Sequence, residues 1–247
     1  MKRVVVRTHG GLGNQIFQLF YARLFAQRAH ASLLETHELR YAHRFARSNE
    51  LEQASAPPTR ARAVSALRLP KILTRVRLQK DAITIFGFTY LDGYFQRVAD
   101  YDEFDDASLR RELLRLRGEF GLSEIPTREV GMHLRLADFF KSDADVVQHL
   151  NERLRRLGPN TEIVTNEEFR LHAPSVAEAL AAKRASIVPT TDMTPEQVLR
   201  TLASFRHVDG NDSTLLFWAS VLSGMQCDFS NSELCSLRAR FLAVLEN

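Results

Sequence analysis

Val6-Arg7-Thr8-His9-Gly10-Gly11-Leu12-Gly13-Asn14-Gln15-Ile16-Phe17-Gln18 is the stretch that decides the class of fold. The β-branched run Val4, Val5 and Val6 feeds a glycine-rich turn, and an amphipathic segment follows at once. That order predicts a strand over about residues 3–8, a loop of the size that cradles a phosphate, and a helix over about 15–30. Glycines let the backbone come close to an anionic ligand, and the first turn of a helix carries N–H groups with no partner inside the helix. The loop is not a P-loop, because no Gly-Lys-Ser/Thr follows it. It is a poor dinucleotide fingerprint as well, because Ile16 stands where the third glycine belongs. Asn14-Gln15 suggests a different user of nucleotides. The bland reading is a tight turn with no ligand.

Outward from this turn, the chain alternates. A strand-like run, Ile83 to Leu91, leads into Asp92-Gly93-Tyr94-Phe95-Gln96, and a charged helix is expected near 106–118. Gly121, Ser123 and Pro126 act as breakers, which places a domain boundary between Gly118 and Pro126. The second half reads as strands at 129–135, 161–165, 186–188 and 206–209, with helices at 145–157, 174–184, 195–204 and 213–223 between and after them. Repeated βα units imply a parallel sheet covered on both faces, with ligands beyond the carboxyl ends of its strands. Phe17, Phe20, Tyr21, Leu24 and Phe25 recur at helical spacing and are expected to face a core.

With 247 residues and 45% apolar content, the chain can build one large domain or two small ones around a real core. Mean hydropathy is −0.22, and no run approaches the roughly 20 apolar residues of a membrane span. Met1-Lys2-Arg3 ahead of the valines is too short a lead for a signal peptide, so a cytoplasmic chain is expected. Cys227 and Cys235 have no Cys-x-x-Cys partner and no nearby His pair, which reads as two buried thiols rather than a zinc or redox motif. The net charge of +3 is unevenly spread. From Arg40 to Lys80 the basic residues, Arg68, Lys71, Arg75 and Arg77 among them, face only the acids Glu50 and Glu52. That excess suits a membrane surface, a phosphate-bearing acceptor or a nucleic acid, or else a solvated helical face.

Three further segments place polar groups at strand ends. In Val130-Gly131-Met132-His133-Leu134-Arg135-Leu136-Ala137-Asp138, His133 and Arg135 lie two apart on an otherwise apolar strand. Arg offers a planar, permanently charged fork suited to a diphosphate; the alternative is an internal Arg135–Asp138 link. Asp209-Gly210-Asn211-Asp212-Ser213-Thr214 ends a strand in a polar turn, where Ser213 or Asp212 can cap the helix that follows and its N-terminus can take an anion. Thr165-Asn166-Glu167 is a further polar strand end.

Taken together, these segments resemble one family, the α-1,2-fucosyltransferases of glycosyltransferase family 11. Gly10-Gly11-Leu12-Gly13-Asn14-Gln15-Ile16-Phe17-Gln18 resembles the family's opening signature, and Gly93-Tyr94-Phe95-Gln96 its Gly-Tyr-aromatic-Gln segment. His133-Leu134-Arg135-Leu136-Ala137-Asp138 resembles the His-x-Arg-Arg-Gly-Asp motif shared with α-1,6- and protein O-fucosyltransferases. Thr165-Asn166-Glu167 falls where the family has a Ser/Thr-Asp/Asn acidic turn, and Asp212 to Ala219 resembles Asn-Ser-Thr-Phe-Ser-Trp-Trp-Ala. The matches keep the family's order from position 10 to 219. The chain departs from the pattern at Leu136 and Ala137, in place of Arg and Gly, and at Leu216 and Phe217, in place of Ser and Trp.

The resemblance implies an α/β fold of the GT-B-like kind, two Rossmann-like domains facing a cleft. An acceptor-side domain would span 1–122 and a GDP-sugar domain 123–247. It implies an inverting, metal-independent transfer of fucose, or a related 6-deoxyhexose, from its GDP donor to a glycan hydroxyl. The product expected is an α-1,2 link to galactose in a surface polysaccharide or oligosaccharide. Arg135, His133 and Asp138 would be catalytic. Gly10, Gly11, Gly13, Asn14, Gln15, Thr165, Asn166, Asp212, Ser213 and Thr214 would hold the donor, with no metal or other cofactor. Asp138, His133, His9 and Asp92 are the candidates for general base. The acceptor would be a glycan, lipid-linked in the case where the Arg40–Lys80 stretch meets the inner face of the membrane; no nucleic acid partner is expected. Three rivals stand beside it: a metal-dependent transferase using Asp143-Ala144-Asp145, a binding relative that lost activity through Leu136, and, least favoured, a nucleic-acid binder using the basic stretch over 40–80.

Overall fold

The computed structural model describes residues 2–37, 82–85, 88–136, 140–165 and 168–247. The basic stretch from Arg40 to Lys80, Asp138, and Asn166 with Glu167 therefore lie outside the described residues. The chain parts into two compact units, residues 1–112 and 113–247.

In the first unit, β1 (Arg3–Thr8) buries Val4, Val5 and Val6 without alternation, as a strand covered on both faces must. It lies between β2 (Ser32–His37) and β4 (Phe88–Leu91), parallel to both. β3 (Ala82–Ile85) pairs antiparallel with β4 at the edge, so the sheet order is β2-β1-β4-β3. The apolar run read as one strand from Ile83 to Leu91 is thus two strands in a hairpin. Helix α1 (Leu12–Arg28) joins β1 to β2 and starts three residues earlier than its spacing suggests, because Gly11 already occupies the N-cap position. Phe17, Phe20, Tyr21 and Leu24 are buried, while Phe25 is only half-buried. Tyr21 stacks flat on Phe95, with centroids 4.1 Å apart. Deep in this unit, Arg23 pairs with Glu112 at 3.0 Å, and the Thr8 hydroxyl donates to Glu35 at 2.7 Å. Helix α2 (Asp106–Phe120) carries the boundary between the two units.

The second unit holds five parallel strands: β5 (Arg128–Leu134), β6 (Glu162–Thr165), β7 (Ser186–Ile187), β8 (Phe205–Gly210) and β9 (Gln226–Asp228). Their order is β7-β6-β5-β8-β9. Helices α3 (Asp143–Leu157), α4 (Glu168–Leu171) and α5 (Pro174–Ala182) carry the first crossovers. Their residues Val146, Leu150, Leu154, Leu171, Val176 and Leu180 join Met132, Leu134 and Leu136 in one apolar cluster. After β7 the winding reverses. Helices α6 (Pro195–Ala203), α7 (Thr214–Ser223) and α8 (Ser232–Glu246) then cover the opposite face, where Trp218 meets Phe217 and Phe241. Cys227 is buried and its thiol is pushed up to about 12, chiefly by loss of solvation. Cys235, expected to be buried, is exposed on the first turn of α8. No helix among the described residues is long and apolar enough to cross a membrane.

Candidate functional site

In the second unit the chain winds outward from β5 through β6 to β7, then returns to the other side of β5 as β8. The carboxyl ends of β5 and β8 therefore bound the point where strand order reverses, which is where open α/β sheets bind ligands. His133 lies opposite Gly210 in the ladder. The Asn211 backbone N–H donates to the His133 carbonyl at 3.3 Å, and the Asn211 side-chain oxygen accepts from the Arg135 N–H at 3.2 Å. One asparagine thus ties both strand ends together and fixes where the half-buried Arg135 leaves the sheet. The approach is close: a Cβ on Gly210 would sit 2.8 Å from the His133 carbonyl oxygen and 2.9 Å from Leu216. Asn211 belongs to the turn read from sequence, but nothing in its spacing marks this bridging role.

His133 is buried, and its Nδ1 has no hydrogen-bond partner among the described residues. Loss of solvation, and then the charge of Arg135, push its pKa down to about 4, so the imidazole is neutral at physiological pH. Leu136 lies wholly inside the apolar cluster against α3. Arg170, on α4, donates to the carbonyls of Leu136 and Phe140 at 3.1 Å each and so braces the backbone on both sides of the Asp138 segment.

Asp209 is buried between Arg153 and Arg156 of α3. Asp212 accepts from the backbone N–H of Ser230 at 2.9 Å and from its hydroxyl at 2.7 Å. Ser213 is the N-cap residue of α7, but its hydroxyl makes no cap bond. The expectation that Ser213 or Asp212 caps this helix therefore fails: Asp212 is drawn to the turn before α8. Thr214 opens the helix half-buried. Thr165 is buried, with its carbonyl taken by the Thr190 hydroxyl. Asp143 and Asp145 stand in the first turn of α3, where Asp145 and Ser142 bond each other's backbone N–H in a capping box. That local role accounts for Asp-x-Asp at this position.

The first unit has its own reversal point, between β1 and β4. Gly10 turns the chain there with φ +80°, and a Cβ on it would meet the Asn14 amide at 2.7 Å. Side chains of the following helix brace the turn: Gln15 Nε2 donates to the Gly10 carbonyl at 2.8 Å, and Gln18 Oε1 accepts from the His9 N–H at 2.9 Å. Asn14 Oδ1 accepts from Gln96 Nε2 at 3.0 Å, which joins the glycine turn to the Gly93–Gln96 segment. Gly11 is exposed and Gly13 buried at the head of α1. Asp92 faces Arg7 at 3.4 Å and His9 at 3.6 Å. Burial alone would raise its pKa, but His9 and Arg7 outweigh that and hold the carboxyl below the usual range.

No protein-family model matches the chain, and no curated protein matches it. The solved structures it is similar to include the following three. A NodZ α-1,6-fucosyltransferase co-crystallized with GDP shares 14% identity, with 90% of this chain and 93% of that chain covered and a TM-score of 0.47. Fucosyltransferase NodZ from Bradyrhizobium shares 14%, over 90% and 93%, at 0.46. POFUT1 in complex with GDP shares 11%, over 92% and 98%, at 0.48. At these values the similarities stand beside the geometry and assign nothing by themselves.

Proposed function

We propose that the chain is an inverting, metal-independent glycosyltransferase that moves fucose, or a related 6-deoxyhexose, from its GDP donor to a glycan hydroxyl. An α-1,2 link to galactose in a surface polysaccharide or oligosaccharide is the product the motif order favours. The observation that carries this reading is Arg135 at the reversal point of the second sheet, its backbone locked by Asn211. In such a transfer the sugar becomes oxocarbenium-like while negative charge grows on the departing diphosphate. A guanidinium fork held at that point meets the charge in the transition state without reorganising. The N-terminus of α7, with Thr214, adds a second positive end. His133 stays neutral beside Arg135, and a pKa of about 4 makes it a weak proton acceptor at neutral pH. The acceptor proton is then left to Asp138, His9 or Asp92.

A second reading follows from Leu136. An arginine belongs there in the motif, and here the position is apolar core. A chain with one arginine fewer would bind donor without turning it over. Incubation with GDP-fucose, with chelator present and with galactoside acceptors, separates the two. Fucose transfer supports the enzyme. GDP binding with neither transfer nor donor hydrolysis supports the lapsed relative, and absence of GDP binding overturns both.

A further inference from the structure

We propose that the first unit carries a hexopyranoside-binding subsite at the carboxyl ends of β1 and β4, with the Tyr94 ring as its platform and the Asp92 carboxylate as its hydroxyl acceptor. The inference rests on reading the chain as a glycosyltransferase, since it names the acceptor side of that reaction.

Three observations meet at this point. The first is topological: β1 runs between parallel β2 and β4, so the turns after β1 and β4 diverge around a reversal point of the kind that receives ligands. The second is composition and exposure. Tyr94 is 48% exposed, one of few large apolar side chains so placed among the described residues, and its ring meets the His9 ring edge-on at 4.8 Å. The Asp92 side chain beside it is 26% exposed, with Arg7 and His9 on its two oxygens. A pyranose ring has an apolar C–H face and a rim of hydroxyl donors. An aromatic face next to a charged carboxylate matches both parts. The carboxylate also makes the spot a poor host for a phosphate.

The third observation is strain. Phe95 is held at φ +50°, a conformation that non-glycine residues rarely adopt. Its carbonyl accepts from the Tyr101 hydroxyl at 2.7 Å, its ring is stacked on Tyr21, and Gln96 is bonded to Asn14. These contacts over-determine the turn. They leave Tyr94 facing outward on a fixed backbone, which is how a platform is made ready before its ligand arrives.

The test is saturation-transfer NMR on the full chain with methyl β-D-galactopyranoside, methyl β-D-glucopyranoside and methyl α-D-mannopyranoside as probes. Wild type is compared with Tyr94→Ala, Tyr94→Phe and Asp92→Asn, and thermal midpoints confirm folding. At least one glycoside should bind, with its Kd raised tenfold or more by Tyr94→Ala and by Asp92→Asn, and nearly kept by Tyr94→Phe. No glycoside bound by wild type, or binding indifferent to Tyr94→Ala, overturns the subsite. GDP titration of the same samples keeps the two readings apart. Glycoside binding lost in Tyr94→Ala without any GDP binding leaves the subsite standing and sinks the transferase. GDP binding with glycosides indifferent to Tyr94 does the reverse.

Discussion

At the residue scale, two positions at the paired ends of β5 and β8 report on how tightly the candidate donor site is built. Gly210 approaches a backbone carbonyl, which cannot move aside as a side chain can. Gly210→Ala is therefore expected to destabilise the protein by about 1–3 kcal/mol, the usual cost of forcing a methyl group into a packed site. Chemical denaturation measures it; an unchanged midpoint would mean the strand ends part easily. His133 gives a pH signature. Its folded pKa of about 4 lies below the ordinary 6.5, so the native state binds fewer protons than the unfolded chain between those values. Its contribution is complete above pH 6.5 and is lost as pH falls toward 4, on the order of 3 kcal/mol in total. Burial lowers the pKa of His149 as well, so stability slopes the same way from that residue. Asp92, also depressed, acts only below the carboxylate range near 3.8. The expected result is that His133→Gln flattens part of the slope between pH 4 and 6.5 and leaves the His149 part. A slope identical to wild type would show that His133 is solvated.

At the scale of elements, Asn211 makes β5 and β8 act as one site, and its effect can be separated from that of Arg135. Asn211→Ala removes the acceptor for the Arg135 N–H, which should cost about 1–3 kcal/mol of stability together with a loss in transfer rate. Arg135→Ala should instead lower kcat/KM by about 2–4 kcal/mol in transition-state terms while the fold holds, with Lys a partial substitute because it lacks the fork. Equal stability losses in both variants would reduce Arg135 to a structural group. Helix caps give a second contrast. Asn231 accepts from the N–H groups of Glu233 and Leu234 at 3.0 Å each, so Asn231→Ala should cost about 1 kcal/mol. Ser213→Ala should cost well under that, because its hydroxyl caps nothing. The same elements show what sequence reveals. Most strands and helices from 128 to 223 are legible because valines, leucines and breakers change period cleanly there, whereas α4, four residues long, is too short to show a period. The hairpin over 82–91 read as one strand because both arms are apolar and β-branched, and only Gly87 marks a break. β9 is three residues long, too short to show a period. Helix α8 does place Leu234, Leu237, Phe241 and Val244 at helical spacing, a signal the polar run before it obscured.

At the scale of the whole molecule, each unit has a sheet whose strand order reverses once, and the polar motifs after β1, β4, β5 and β8 fall at those two reversals, while Thr165 ends β6, one strand away. The grouping was legible, since strand-end placement follows from βα alternation. The division of labour was not. Asn14 and Gln15 read as ligand groups from their position after the glycines, and in the structure their side chains also brace the turn. Side-chain amides satisfy backbone and ligand groups equally well, so spacing cannot tell the two uses apart. The groups that the proposed function assigns to the donor diphosphate are Arg135 and the head of α7, and both lie in the second unit. GDP should then bind without any divalent ion. At 100 times its dissociation constant, with chelator present, it should stabilise the native state by about 2.7 kcal/mol. In a thermal scan that resolves the two units separately, the rise should fall on the transition to which Trp218, buried against α8 and the only tryptophan, reports by fluorescence. Arg135→Ala should remove most of the rise. The same stabilisation from UDP, or a rise that appears only after Mn²⁺ is added, would defeat the reading, because neither a pyrimidine donor nor a bridging metal belongs to a site in which an arginine carries the charge of the diphosphate.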